Sequence, residues 1–155
     1  MCKLLIVVVI LSVACSSGPE VTVNDIVFHF GVDAKNKLDT KRESFTKDMV
    51  VDPPITVSMR LSAEDRDRIV RKAEGIRFFE LPNKIVPPKP RTCFTTPCEN
   101  FYLEIRTRRH DNAVSWNNCN CEEPKDLIEL RRFIQTIIES TNAYKSLPEP
   151  RGGYL

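Results

Sequence analysis

The stretch CFTTPCENFYLEIRTRRHDNAVSWNNCNC, Cys93 to Cys121, constrains the fold more than any other part of the chain. Phe101, Leu103 and Ile105 alternate with polar residues, as do Val114 and Trp116, and the polar run TRRHDN lies between them. Alternation on both sides of a polar turn predicts a β-hairpin with one apolar face. Only registers that bring the two apolar sets onto the same face are allowed. One sets Leu103 against Val114 and Phe101 against Trp116, with Cys98 opposite Cys119. The other sets Ile105 against Val114, with Cys98 opposite Cys121. Either way Cys98 meets the Cys119-Asn120-Cys121 end.

What those thiols become depends on where the protein resides, and the amino terminus speaks to that. MCKLLIVVVILSVACSSG has one early cation, Lys3, then an apolar run from Leu4 to Val13, then small residues around Cys15. This is a secretory signal layout. The run is about half the ~20 residues a spanning helix needs, and no second such run follows. No permanent transmembrane span is expected.

Leu11-Ser12-Val13-Ala14-Cys15 resembles the lipobox of bacterial lipoproteins, with Ser12 standing where that family usually carries leucine. The resemblance implies cleavage before Cys15, a diacylglycerol on its thiol, and a bacterial envelope location facing the periplasm or exterior. Each buried methylene of such an anchor contributes about 0.8 kcal/mol, so two or three acyl chains hold a small domain stably. Ordinary cleavage after Ser16, giving a secreted protein, is the alternative. On this reading residues 1–14 are signal peptide, 15–24 a lipid-anchored tether, 25–145 one domain and 146–155 an extended, surface-lying tail.

Removing residues 1–14 leaves about 141, one ordinary domain with room for a real core. The formal charge of +2 falls to +1 when Lys3 leaves, with signs intermixed, which argues against nucleic acid as the partner. At 28% charged and 41% hydrophobic residues the chain is globular.

In order, Ile26, Phe28 and Phe30 alternate against Val27, His29 and Gly31, a strand with one greasy face. Arg42 to Val51 is a weaker strand candidate after a polar connection. Ile55, Val57, Met59 and Leu61 face away from Thr56, Ser58 and Arg60, while Asp52-Pro53-Pro54 should forbid continuous pairing before them. Ser62 begins the capping pattern SAED, predicting a helix over 63–74 that buries Ile69, Val70 and Ala73 and stops on a left-handed Gly75. The proline-rich 82–97 segment is either a functional loop or a stiff crossover pinned by Cys93. A second helix starts near Pro124, with Leu127, Leu130, Ile134, Ile137 or Ile138 and Thr141 on one stripe. The order β-β-β-α-β-β-α predicts an α+β fold. One antiparallel sheet of about five strands would carry two helices on one face and leave the other open to solvent.

For the four cysteines, spacings of Cys-x4-Cys and Cys-x-Cys are not diagnostic of zinc, and the redox pattern Cys-x-x-Cys is missing. In an oxidising compartment Cys93, Cys98, Cys119 and Cys121 should pair as disulfides. A Cys119–Cys121 bond would close a very tight ring. The preferred pairing is Cys98–Cys121 with Cys93–Cys119, and the alternative is Cys98–Cys119 with Cys93–Cys121.

Cys93-Phe94-x-x-Pro97-Cys98 followed by the aromatic strand at 101–105 is similar to a cysteine motif of small bacterial lipoproteins of uncharacterised function, where the motif is tighter and contains glycine. TKDMV, ITVSMRLS, RFFELP and LPEPRGGYL also resemble uncharacterised exported bacterial proteins of this length. These resemblances imply a location and no chemistry.

The only histidines are His29, on the polar side of a strand, and His110, in the hairpin turn. No G-x-S-x-G, H-E-x-x-H or phosphate-loop pattern occurs. Glu122-Glu123 and Asp65 with Asp67 could pair for hydrolysis, but helix dipoles account for them. Arg106, Arg108, Arg109 and His110 concentrate positive charge at a tip projecting from a cysteine-tied base, able to touch anionic lipid or cell-wall polymer. The expectation is a non-enzymatic, lipid-anchored envelope protein that binds an envelope protein or ligand, with no cofactor and no metal. Inhibition of an envelope or foreign hydrolase is the alternative. A hydrolase is the third reading, and it would require His29 to lie in a cleft with an acid.

Overall fold

The computed structural model describes residues 24–86, 96–119 and 123–154. Its six strands are β1 Asp25–Phe30, β2 Asn36–Asp39, β3 Ser44–Met49, β4 Asp52–Ser58, β5 Asn100–Arg106 and β6 Asp111–Asn117. They form one antiparallel sheet in the order β4-β3-β2-β1-β5-β6. The helices are α1 Ala63–Gly75, α2 Lys125–Ser140 and the short α3 Asn142–Lys145. The fold is α+β, with six strands rather than five.

Alternation places Ile26, Phe28, Leu38, Phe45, Phe101, Leu103, Ile105, Val114 and Trp116 on one face, and all are buried. They share a single apolar cluster with Ile69, Val70 and Ala73 of α1 and Leu127, Leu130, Ile134, Ile137 and Ile138 of α2. Each large side chain buried this way contributes roughly 1.5–3 kcal/mol, which drives the helices onto the sheet. The 3.6-residue stripe of α2 predicted from sequence is the stripe that is buried.

The sixth strand is β2, read from sequence as a polar connection. Its four residues hold one apolar side chain, Leu38, too few to display a period of two. Strand β4 begins at Asp52, so Pro53 and Pro54 lie inside a strand after all. Pairing jumps from Lys47↔Ile55 to Met49↔Asp52, leaving Pro53 and Pro54 opposite Asp48 in a bulge. A bulge on an edge strand is where proline's missing donor costs least.

Helix α1 has the predicted cap, the Ser62 hydroxyl accepting from the backbone N–H of Asp65 at 3.0 Å. It does not stop on a left-handed Gly75. The helix runs through that glycine, and Arg77 takes the left-handed conformation at φ 57°. This lets Ile76 pack against the core before the chain turns, and the Arg77 guanidinium closes the turn on Glu80 at 3.1 Å.

The carboxyl-terminal segment is not wholly extended and surface-lying. It follows directly on α3, and its Leu147 joins the core at 9% exposure. Beyond it Lys47, a residue 3% exposed, donates from its amine to the Pro148 carbonyl at 3.0 Å and holds that amine over the Tyr144 ring. Arg151 pairs with Asp52, and the Tyr154 hydroxyl donates to Asp48 while accepting from Lys35. At the other edge of the sheet Ser115 exchanges backbone bonds with Asn83 and Ile85, so the start of the proline segment covers β6.

Cys98 is bonded to Cys119, with Cα atoms 4.7 Å apart. This corrects the preferred Cys98–Cys121 pairing, and the register gives the reason. Phe101 faces Trp116 and Leu103 faces Val114, which brings Cys98 opposite Cys119. Glu99 and Asn118 reinforce the junction, the Glu99 N–H donating to the Asn118 side chain at 2.7 Å and the Asn118 amide donating back to Glu99. Cys15, Cys93 and Cys121 lie outside the described residues.

Candidate functional site

The face of the sheet turned away from the helices carries an open groove of about 740 Å3 across β2, β1 and β5. Strand β1 contributes Asp25, Val27 and His29, β5 contributes Tyr102, Glu104 and Arg106, and Asp39, Lys41 and Arg42 come from the end of β2 and the turn after it. Three carboxylates and three cations therefore surround an aromatic pair. His29 and Tyr102 are cross-strand partners with ring centroids 5.4 Å apart.

The polar groups are extensively paired. Tyr102 donates its hydroxyl to Glu104 at 2.7 Å, and Glu104 is also bridged by Arg106. The hydrogen bond that the Tyr102 hydroxyl donates to Glu104 holds the phenol above its ordinary pKa, because ionisation would break it, and burial and the neighbouring carboxylate charge push the same way. Asp39 accepts from the Arg42 backbone N–H at 2.9 Å and lies 3.6 Å from its guanidinium. Burial pushes the His29 imidazole below its ordinary pKa, and Lys37 adds to the shift against the opposing pull of Asp39 and Glu104. The net effect favours the neutral imidazole. Among the described residues no hydrogen bond joins it to an acid, although it shares the groove with three.

The four residues proposed for the hairpin tip are divided by the structure. Arg106 belongs to the groove. Arg108, Arg109 and His110 line a second cavity of about 340 Å3, shared with Asp67, Val70, Arg71 and Glu74 of α1 and with Asn24. The tip does not project alone: it shares this cavity with α1, and the His110 ring lies 5.5 Å from Phe79 in the short 3-10 turn Phe78–Glu80. Its turn is held by Thr107, whose hydroxyl donates to the His110 carbonyl and accepts from the N–H groups of Arg109 and His110.

Asp65, Asp67 and Glu123, considered for hydrolysis, have other roles. Asp65 serves Ser62 and Arg68, and Asp67 accepts from Asn24 at 2.7 Å. Glu123 is not explained by a helix dipole. It precedes α2, is 5% exposed, accepts from the Trp116 indole at 2.8 Å, and receives a two-pronged Arg131 guanidinium at 2.7 and 3.0 Å. Glu122 lies outside the described residues. Among the described residues no cluster of three or more His, Cys, Asp or Glu side chains is placed to hold a metal ion, and no helix is long and apolar enough to cross a membrane.

Residues the sequence did not single out for the groove are Asp25, Asp39, Lys41, Arg42, Tyr102 and Glu104. Alternation signals Tyr102 and Glu104, which share a face with His29 and Arg106. Asp39 needed β2 to be recognised first. Comparison with family models, curated proteins and solved structures gave no match to this chain.

Proposed function

We propose that the chain is a non-catalytic domain, held to a bacterial envelope membrane by an acyl group on Cys15, that acts by binding through the groove on the open face of its sheet. The observation that carries the binding half is the groove's chemistry. Its carboxylates and cations are mostly spent on each other and on Tyr102, which suits recognition of a polar partner better than proton transfer. The His29 and Tyr102 rings, 5.4 Å apart, offer contact in the middle of that charged rim. The anchoring half rests on the apolar run, Val13-Ala14-Cys15 and the length of polar chain before Asn24. The Cys98–Cys119 bond supports an oxidising compartment, periplasmic or exterior.

Inhibition of an envelope or foreign hydrolase is the alternative form of this binding role, and hydrolysis stays third, with only the place of His29 near Asp39 and Glu104 in its favour. Among the described residues no base is hydrogen-bonded to an orienting acid there, the arrangement that activates a nucleophile. The anchor is tested by expressing the full chain in a bacterium fed an alkyne fatty acid. The expected result is label on the wild type, none on Cys15→Ala, and wild type in the membrane fraction. Unlabelled wild type in the soluble fraction would overturn it.

A further inference from the structure

The sheet has a charged end, and it is the end where the chain arrives from Cys15. Asp25 pairs with Arg106, Val27 with Asp39, Asp39 with Ser44, and Ser44 with Ser58. That register puts Asn24, the turn 40–43, the connection 59–62 and the hairpin turn 107–110 at one end of the sheet. These three connections hold five exposed cations, Lys41, Arg42, Arg60, Arg108 and Arg109, against one acid, Glu43. Arg42 and Arg60 pair with Asp39 and Glu43 at 3.6 and 2.9 Å, yet their side chains remain 82% and 79% exposed. At the opposite end the described turns 31–35, 50–51 and 96–99 hold one cation, Lys35, against Asp33 and Glu99, and the tail adds only Glu149 and Arg151.

We propose that this basic end is a docking surface for anionic phospholipid headgroups, so that the acyl anchor and the basic turns together fix the domain's orientation on its membrane. The inference rests on the acyl-anchor reading. From Cys15 to Asn24 the tether spans nine residues, at most roughly 30 Å extended and roughly 17 Å as a flexible coil. The turns beside Asn24 are therefore kept within reach of the headgroups. Each basic side chain brought to an anionic surface strengthens attachment roughly fivefold, and the contact is screened by salt. Acids at this end, Asp25, Asp39 and Asp111 at the strand ends, Glu64 and Asp65 on the first turn of α1, and Asp67 and Glu74 beside the hairpin turn, limit the patch to the turns themselves. In this orientation the groove opens at the side of the domain, flanked by membrane at its Arg106 end.

The test uses the protein purified from bacterial membranes in detergent and reconstituted with phosphatidylcholine vesicles, with or without phosphatidylglycerol. Flotation reports attachment, and limited trypsin digestion reports orientation. The expected result is flotation with both vesicles, with cleavage after Lys41, Arg42 and Arg109 slowed at least fivefold on the anionic ones and restored by high salt. Cleavage after Lys35 and Arg151 should proceed equally on both. A Lys41→Gln/Arg109→Gln variant with an unchanged melting profile should lose most of the anionic effect at Arg42. Flotation with anionic vesicles alone would overturn the acyl anchor and leave the basic contact standing. Flotation with both and equal cleavage everywhere would overturn the contact and leave the anchor. Flotation with neither would overturn both.

Discussion

The two edges of the sheet are held in different ways. At the β5–β6 edge a covalent bond, Cys98–Cys119, closes the open end of a hairpin whose seven paired positions run without a break. At the β3–β4 edge pairing is interrupted by a bulge, and the carboxyl-terminal tail acts as the tie, through Leu147, Lys47 with Pro148, and Arg151 with Asp52. The contrast follows from sequence. One hairpin has unbroken alternation and needs only its ends fixed. The other carries a lysine on its core face and two prolines in its edge strand, and needs an external partner to satisfy them.

The comparison can be broken most severely at the disulfide. Cys98→Ala/Cys119→Ala removes a crosslink closing a loop of 21 residues and should cost about 3 kcal/mol in urea unfolding. A cost near zero would mean that the hairpin's own pairing suffices. Next in size is Leu147→Ala, which takes the tail's apolar foot out of the core for about 2 kcal/mol, near the lower end for such truncations. If the tail were merely lying on the surface, the same variant would unfold with the wild type.

A smaller effect of opposite sign is expected at Val50. This β-branched residue sits at φ 62°, bridged to Arg151 and donating its N–H to Asp48. Val50→Gly should stabilise the protein by about 1 kcal/mol, relieving backbone strain that exceeds the entropy glycine adds to the unfolded chain. Destabilisation would place the Val50 side chain among the tail's necessary contacts.

The smallest effect lies between the edges, at His29. Its folded pKa is lowered below an unfolded value near 6.5, so the unfolded chain takes up the proton first. Stability from this group is complete above that value and falls as pH drops through the folded pKa. A pH series of melting curves should show wild type losing more stability on acidification than His29→Gln. Parallel curves would contradict the burial of His29.

What could be read from sequence follows the strength of periodicity. Strands β1, β5 and β6 and both long helices announce themselves because Phe28, Leu103, Val114, Ile69 and Leu130 recur at the spacing of their elements. Strand β2 has only Leu38, and β3 alternates Phe45, Lys47, Met49, so the buried lysine weakens the signal until its Pro148 partner is known. The prolines of β4 read as a break because nothing local tells an edge bulge from a loop. The register choice between Cys119 and Cys121 turned on which apolar residue faces Val114, and both options fitted the pattern. For the groove, alternation puts His29, Tyr102, Glu104 and Arg106 on one face, but strand order alone brings β1 against β5 and lets Asp39 join them.

The most direct test of the account is a photocrosslinking amino acid placed at Tyr102 in the groove, with one at Glu139 on the exposed surface of α2 as control, in the full chain expressed in living bacteria. Binding through the groove predicts a discrete, stoichiometric adduct from position 102 and none from 139, and a hydrolase in that adduct would identify the domain as its inhibitor. Adducts from 139 with none from 102 would contradict the assignment of the groove as the binding surface.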